Sequence, residues 1–409
     1  MKFIENLSEE EFTKFYNKYN TSFMQSYKWG QFNIVSRRQT PYYIGLKENN
    51  KLVAATLLLE SKTKNGHVYY YAPRGFLIDS NNYDLIKTFT EQLKKFLVEK
   101  NGVYIKIDPE IEYHDIDKNG NVISNGNNNY EIYNNLIKLG YKHTGFVKHF
   151  ENMQPRYTFI IDTTKDLKEI ENNINKSVMK KIKKTNEYNM IFRKSNDTKT
   201  FHELIKNNSE RDGFIPYHEI YYENALKIMD GIYEMFELVI NPKNLYEDRL
   251  NKYKEIKDVS NTNNNANEKQ KRLEKELELL EKYNNQEELV LCSQIIAKTN
   301  NKLWTLYIGN SQIGQELHAV NRMYYEIIKY AKESNIKELD LFGTVGDITK
   351  KYKNLLGIHK FKENFGGRYV EYIGEFDLVN KPFIHYLLPK YDYIHTKIYR
   401  LKRKLKQKK

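Results

Sequence analysis

Glu338–Asp377 reads ELDLFGTVGDITKKYKNLLGIHKFKENFGGRYVEYIGEFD. Leu339–Phe342 is an apolar run of strand length that stops at a glycine. A short polar helix follows, then a charged residue, Lys362, between Phe361 and Glu363. The pair Gly366–Gly367 predicts a turn, and Tyr369–Ile373 predicts a last strand. A strand that ends in glycine and gives way to polar residues sets loops at a sheet end. Ligands bind at such ends in open α/β sheets, so Lys362 lies where a site is expected.

The rest of the chain builds an α/β pattern in two rounds. Ser8–Tyr19 has the spacing of a helix, with Ser8 and Glu11 as a capping box. Phe23–Phe32, FMQSYKWGQF, alternates aromatic and polar residues. Pro41–Lys47 and Lys51–Leu59 predict two strands joined at Asn49–Asn50, and Val68–Ala72 a third before the turn Pro73–Gly75. Tyr83–Lys100 is an amphipathic helix, Val103–Ile107 a strand, and Glu131–Leu139 a helix ended by Gly140. A comparable order returns. It runs through strand Phe159–Asp162, basic helix Asp166–Lys184, helices Thr198–Ser209 and His218–Asp230, and strands Tyr233–Ile240, Glu287–Thr299 and Leu303–Ile308. Helix Leu317–Ser334 then leads into Leu339–Phe342. The expected class is α/β (or α+β), with one subdomain over residues 1–150, completed by about 365–409, and a second over 151–364.

An insertion over residues 242–285 is polar but periodic. Tyr246, Leu250, Tyr253 and Ile256 mark one seam, and Leu273, Leu277 and Leu280 another, with a polar Asn-rich turn between them. That pattern predicts an antiparallel helical hairpin of coiled-coil type. Residues 390–409 form a basic tail with Ile398, Leu401 and Leu405 interspersed, suited to an anionic bilayer surface.

The 409 residues carry a net charge of +13, which points to a polyanionic partner. The lone cysteine, Cys292, excludes an intramolecular disulfide framework. No Cys/His cluster has metal-ligand spacing, and neither a metal nor a cofactor is expected. An acidic first segment and the lack of any 18-residue apolar run predict a cytoplasmic protein without a membrane span. Nucleophile elbows, GxxxxGK[ST] loops and HExxH helices are absent.

Six segments together resemble the Fem family: FMQSYKWGQF, KIDPE at Lys106–Glu110, ERDGF at Glu210–Phe214, LYIGNS at Leu306–Ser311, HKFKENFGG at His359–Gly367, and EYIGEFD at Glu371–Asp377. The resemblance spans nearly the whole chain. It implies two tandem acyltransferase (GNAT-like) subdomains, with a helical-hairpin arm in the second. It further implies transfer of an amino acid from aminoacyl-tRNA to an amine of lipid-linked muropeptide (lipid II), at the inner face of the plasma membrane. An activated ester and an amine need no protein nucleophile. They need alignment, proton uptake and oxyanion stabilisation.

On this resemblance Lys362 is the oxyanion cation, with Phe361 beside it, and Asp108 is a proton acceptor for the amine. Tyr307 and Tyr221 match tyrosines of the muropeptide site. Tyr217 stands where some members place a diphosphate-gripping arginine, so Arg37, Arg38 and Arg211 are the candidates for that role. Lys176, Lys180, Lys181, Lys183 and Lys184 face a tRNA backbone or, equally, solvent. The arm touches tRNA or a partner subunit, which would make a homo- or hetero-dimer. Two rivals remain: a CoA-dependent N-acyltransferase, for which Gly309–Gly314 is the nearest phosphate loop, and a non-catalytic tRNA- or membrane-binding protein.

Overall fold

The computed structural model describes residues 1–388 apart from 20, 64, 150–152, 258–263 and 350–352. The basic tail over 390–409 lies outside the described residues. The chain divides into two compact units. The first comprises Met1–Thr158 with the described parts of Gly343–Leu356 and Tyr369–Lys409, and the second Phe159–Phe342 with Gly357–Arg368.

The first unit opens with β1 (Lys2–Ile4), α1 (Glu9–Tyr19), α2 (Tyr27–Arg37), β2 (Thr40–Glu48) and β3 (Lys51–Lys62). The Ser8 hydroxyl accepts the Glu11 backbone N–H, as the capping signature requires. Asn49 and Asn50 both have positive φ and join Glu48 to Lys51, the geometry of a two-residue hairpin turn. Next come β4 (Val68–Ala72), α3 (Tyr83–Glu99), β5 (Tyr104–Ile107), α4 (Tyr130–Lys138) and β6 (Tyr141–His143). The crossover through α3 makes β4 and β5 parallel. Phe89, Leu93 and Phe96 of α3 are buried in a core with Ile105 and Ile107. Each such side chain contributes roughly 1.5–3 kcal/mol.

The second unit repeats this logic. Its elements are β7 (Tyr157–Asp162), α5 (Leu167–Asn173), α6 (Lys176–Lys184), β8 (Ile191–Ser195), α7 (Thr198–Asp212), α8 (Glu219–Ile228) and β9 (Tyr233–Ile240). They continue with α9 (Pro242–Lys257), α10 (Asn264–Glu281), β10 (Leu289–Lys298), β11 (Lys302–Asn310), α11 (Gln312–Glu316), α12 (Ala319–Glu333), β12 (Glu338–Asp340) and α13 (Lys353–Glu363), and the chain closes with β13 (Arg368–Glu371) and β14 (Phe376–Val379). Strands β9, β10 and β11 are antiparallel, and the helical crossover sets β12 parallel to β11. The sheet orders are β1-β2-β3-β4-β5-β14-β6 and β13-β7-β12-β11-β10-β9-β8. In each sheet an antiparallel meander, a helix and a parallel strand are followed by an antiparallel strand from a distant part of the chain. That strand is β14 beside β5 and β7 beside β12.

FMQSYKWGQF runs through a single 3₁₀ turn, Phe23–Gln25, into α2, whose buried face mixes Trp29 and Phe32 with Gly30 and Asn33. Three sequence expectations are corrected. Asp166–Lys184 is two helices, because the Asn175 N–H bonds the Asn364 carbonyl and its side chain caps α6. Lys362 does not follow a helix but sits in the last turn of α13. On α9 the fully buried positions are Pro242, Leu245 and Arg249, and the four seam residues read from spacing are only half-buried.

Helices α9 and α10 pack together through an ionic base. Arg249 is fully buried, and its Nε donates to Glu276 Oε2 at 2.8 Å, while the Tyr188 hydroxyl donates to Glu276 Oε1 at 3.0 Å. Leu273 and Leu280 are buried beside this cluster's helix face.

Candidate active site

Elements α7, α8, β11, α11, α12 and α13 of the second unit all contribute to the lining of one cavity of about 640 Å³. Helical spacing explains which residues reach it. On α13, Gly357, Ile358, Phe361 and Lys362 fall on one face, and on α12 Val320, Asn321 and Tyr324 do the same. Near its C-terminus α7 presents Asn208 and Arg211, three residues apart. Gly213 then ends that helix in the left-handed conformation, and Phe214–Tyr217 turn along the cavity. Strand β11 supplies Thr305, Tyr307 and Asn310.

Lys362 is 9% exposed, and its Nζ donates to the Phe342 carbonyl oxygen at 2.8 Å. Burial pushes its ammonium down to about 7, partly opposed by the charge of Asp340. The Phe342 carbonyl is set by a left-handed turn, φ 60°, an uncommon conformation for a bulky residue. The Asp340 carboxylate holds that turn by accepting the Phe342 N–H at 2.8 Å. Asp340 also pairs with Lys302 at 3.3 Å. Gly366 turns the chain after α13 with φ 74°, and a Cβ there would stand 2.3 Å from the Asn173 carbonyl. Only glycine meets both demands.

The opposite wall is aromatic. Tyr217 stacks on Tyr221 with centroids 3.9 Å apart, and the Tyr221 and Tyr307 hydroxyls lie 3.1 Å from each other. Burial first, then Tyr221, raises the Tyr307 pKa well above that of free tyrosine. Tyr324 meets Phe361 edge-on at 5.0 Å. Among the described residues no Asp or Glu lines the cavity, whereas Arg211, Lys362 and half-buried His318 do. Burial, then Lys184 and Lys181, lowers the His318 pKa.

The structure therefore gathers Lys362, Phe361, Tyr307, Tyr217 and Arg211 around one space, with Tyr221 behind Tyr217 and Tyr307. The other expected residues are not among those that line this cavity. Arg37 and Arg38 are exposed at the end of α2 in the first unit. On α6, Lys176, Lys180, Lys181 and Lys183 are exposed, while Lys184 reaches Glu276 at 3.4 Å. Asp108 ends β5 in the first unit and is 2% exposed. One of its oxygens accepts the Arg74 N–H at 2.7 Å, the other the Tyr71 hydroxyl at 2.8 Å. Burial pushes its carboxyl up to about 6, against the lowering effect of Arg74. His318, Asn208 and Asn310 line the cavity without any prior signal beyond the segment GNSQIGQELH.

The FemAB family profile matches residues 7–391. The chain belongs to the FemAB family. Aminoacyltransferase FemA of Staphylococcus epidermidis is 26% identical over 413 residues, covering 93% of this chain and 97% of that protein. Aminoacyltransferase FemA of Staphylococcus aureus (strain MW2) is 27% identical over 411 residues, covering 93% and 96%. The crystal structure of FemX superposes with a TM-score of 0.78 at 24% identity, over 95% of this chain and 99% of that one. The two mixed sheets and the shared fold of this FemAB member are thus those expected from the six motifs. Two of those motifs meet directly: in KIDPE and EYIGEFD, β5 pairs with β14, and Lys106 Nζ bonds Asp377 at 2.8 Å and Glu375 at 3.1 Å. Among the described residues no helix is long and apolar enough to cross a membrane.

Proposed function

We propose that this FemAB chain is an aminoacyltransferase that moves an amino acid from aminoacyl-tRNA to an amine on lipid II. The amine belongs to the stem peptide or to the growing cross-bridge. The relatives' activity supports the reaction class, and one observation carries the chemistry: a buried lysine faces a cavity lined, among the described residues, by cations and aromatic groups. The acceptor amine attacks the ester carbonyl carbon. A C–N bond forms, the carbonyl oxygen takes up negative charge, and the C–O bond to the ribose then breaks. The proton lost by the amine ends on the ribose hydroxyl. Lys362, protonated, stabilises the oxyanion, and the positive charge of Arg211 and Lys362 favours the acceptor amine in its neutral, nucleophilic form. Arg211 is the cavity's guanidinium for diphosphate, since Arg37 and Arg38 do not line it. The exposed lysines of α6 support contact with the tRNA backbone, and tRNA binding is electrostatic on this reading. The enzyme works at the inner face of the plasma membrane without a bound cofactor.

The CoA-dependent reading fares worse on geometry. In the segment Gly309–Gly314, the Gly314 N–H is already taken by the Ser311 hydroxyl at 3.0 Å, so it is not offered to a pyrophosphate. The test is transfer in vitro with charged tRNAs and lipid II, read by product mass. The expected product is heavier by one aminoacyl residue, and Lys362→Met slows its formation roughly 10²- to 10³-fold. A mass increase that requires acetyl-CoA and ignores charged tRNA would overturn the reading.

A further inference from the structure

Exposed apolar side chains gather at the cavity. Phe214, Ile215 and Tyr217 in the turn between α7 and α8, and Ile358 of α13, all line it and are all exposed. Ile220, in the first turn of α8, follows them and is 52% exposed. Ile215 is 86% exposed, more than any other large apolar side chain among the described residues. Single exposed apolar residues need no explanation, but four around one opening with a fifth beside them mark a surface that something covers. The backbone holds them there. Gly213 breaks α7 in the left-handed conformation, and Pro216 keeps Ile215 out of helical geometry.

Behind this rim the chemistry reverses. Arg211, three residues before Phe214, lines the cavity together with Lys362. From Ile215 inward the order is therefore apolar surface, then cation. A lipid leaflet has the matching order from its interior outward, acyl chain and then phosphate. Tyr217 belongs with that boundary, where tyrosine is enriched. A lone hydrocarbon chain needs a groove around it, whereas a side chain as free as Ile215 suits a continuous apolar phase. Exposed Glu210 and half-buried Glu219 flank the turn, so apolar contact and not an anionic leaflet supplies the attraction.

We propose that the turn Phe214–Tyr217, with Ile220, inserts into the acyl region of a lipid bilayer and sets the cavity mouth at the level of the phosphates. This rests on the reading that the acceptor is lipid-linked, and it names the surface that presents that acceptor.

The test uses the full chain and phosphatidylcholine vesicles in about 1 M salt, where screening over about 3 Å silences the basic residues 390–409. Cys292 is buried, so an environment-sensitive fluorophore on Ile215→Cys reports that position alone. Its emission shifts to the blue when vesicles are added. The same label on Ile191→Cys, exposed on β8 and separated from the turn by the 15 residues of α7, about 22 Å, does not respond. Ile215→Asp and Ile220→Asp each weaken vesicle partitioning roughly 10- to 100-fold. Both side chains are exposed, so neither change opens the core. A silent label at 215, an equal response at 191, or aspartate variants that partition like the unaltered protein would overturn the proposal. So would a dimer in light scattering that Ile215→Asp dissolves while vesicles stay unbound, since the patch would then cover a second copy. Transfer is measured in parallel on a lipid-linked acceptor in vesicles and on the same headgroup carried by a short, water-soluble chain. Ile220→Asp slows the first roughly 10-fold and spares the second. No transfer to either acceptor by the unaltered enzyme would sink the functional reading, whereas transfer without vesicle binding would sink only this proposal.

Discussion

Two largely buried lysines, one in each unit, are held in opposite ways. In the first, every charged motif residue described above has an ionic or hydrogen-bonded counterpart. Lys106 lies between Asp377 and Glu375, and Asp108 is held by Tyr71 and Arg74. Burial works against the Lys106 ammonium, but the two carboxylates more than offset it and its pKa rises. In the second, Lys362 donates to a neutral carbonyl, and burial wins, pushing it down to about 7. A lysine whose charge is matched ties strands together. A lysine whose ammonium burial has weakened is poised for a charge that arrives with the substrate or develops during reaction.

The sharpest way to break this contrast is to delete each lysine and compare. Lys106→Met strands two largely buried carboxylates and is expected to cost about 3–5 kcal/mol in denaturant unfolding. A loss below 1 kcal/mol would place that cluster among weak surface pairs. Lys362→Met should go the other way. An unfolded lysine titrates near 10.4, so between about pH 10 and pH 7 the unfolded chain holds a proton that the native state does not favour. Stability of the unaltered protein therefore rises with pH across that window. Removing the amine gains roughly 1–3 kcal/mol at pH 7, after the lost bond to Phe342 is subtracted, and nothing above about pH 10. A pH-independent difference between the two proteins in thermal melts would refute the account of Lys362 as an ammonium weakened by burial.

Much of the fold was legible in the sequence because local rules agreed with tertiary ones. The Asn49–Asn50 hairpin and the apolar face of α3 follow from turn chemistry and periodicity alone. Helix α2 did not, since its buried face includes Gly30, against the Tyr43 hydroxyl, and Asn33, whose Nδ2 bonds the Trp29 carbonyl. Such a face has no clear apolar stripe. Arg249 was missed for a related reason: a charged residue reads as solvated until its partners, Glu276 and Tyr188, are seen around it. At the site, Lys362, Phe361 and Tyr307 were reached through motif resemblance, and composition added nothing. Asn310 lies within LYIGNS but nothing in that motif marks it out, and Asn208 carries no sequence signal, because an uncharged amide becomes informative only when its burial is seen.

The central claim is that Lys362 acts as a cation toward the oxyanion. The direct test is kcat/KM for aminoacyl transfer between pH 5.5 and 9, for the unaltered enzyme and for Lys362→Arg. Arginine stays charged throughout. Deprotonation or leaving-group effects in the substrates are common to both enzymes and cancel in their ratio. If Lys362 must be charged, the ratio of variant to unaltered kcat/KM climbs as pH rises through about 7, because only the lysine enzyme loses its cation there. A ratio that stays flat across the range, or falls, would contradict the account.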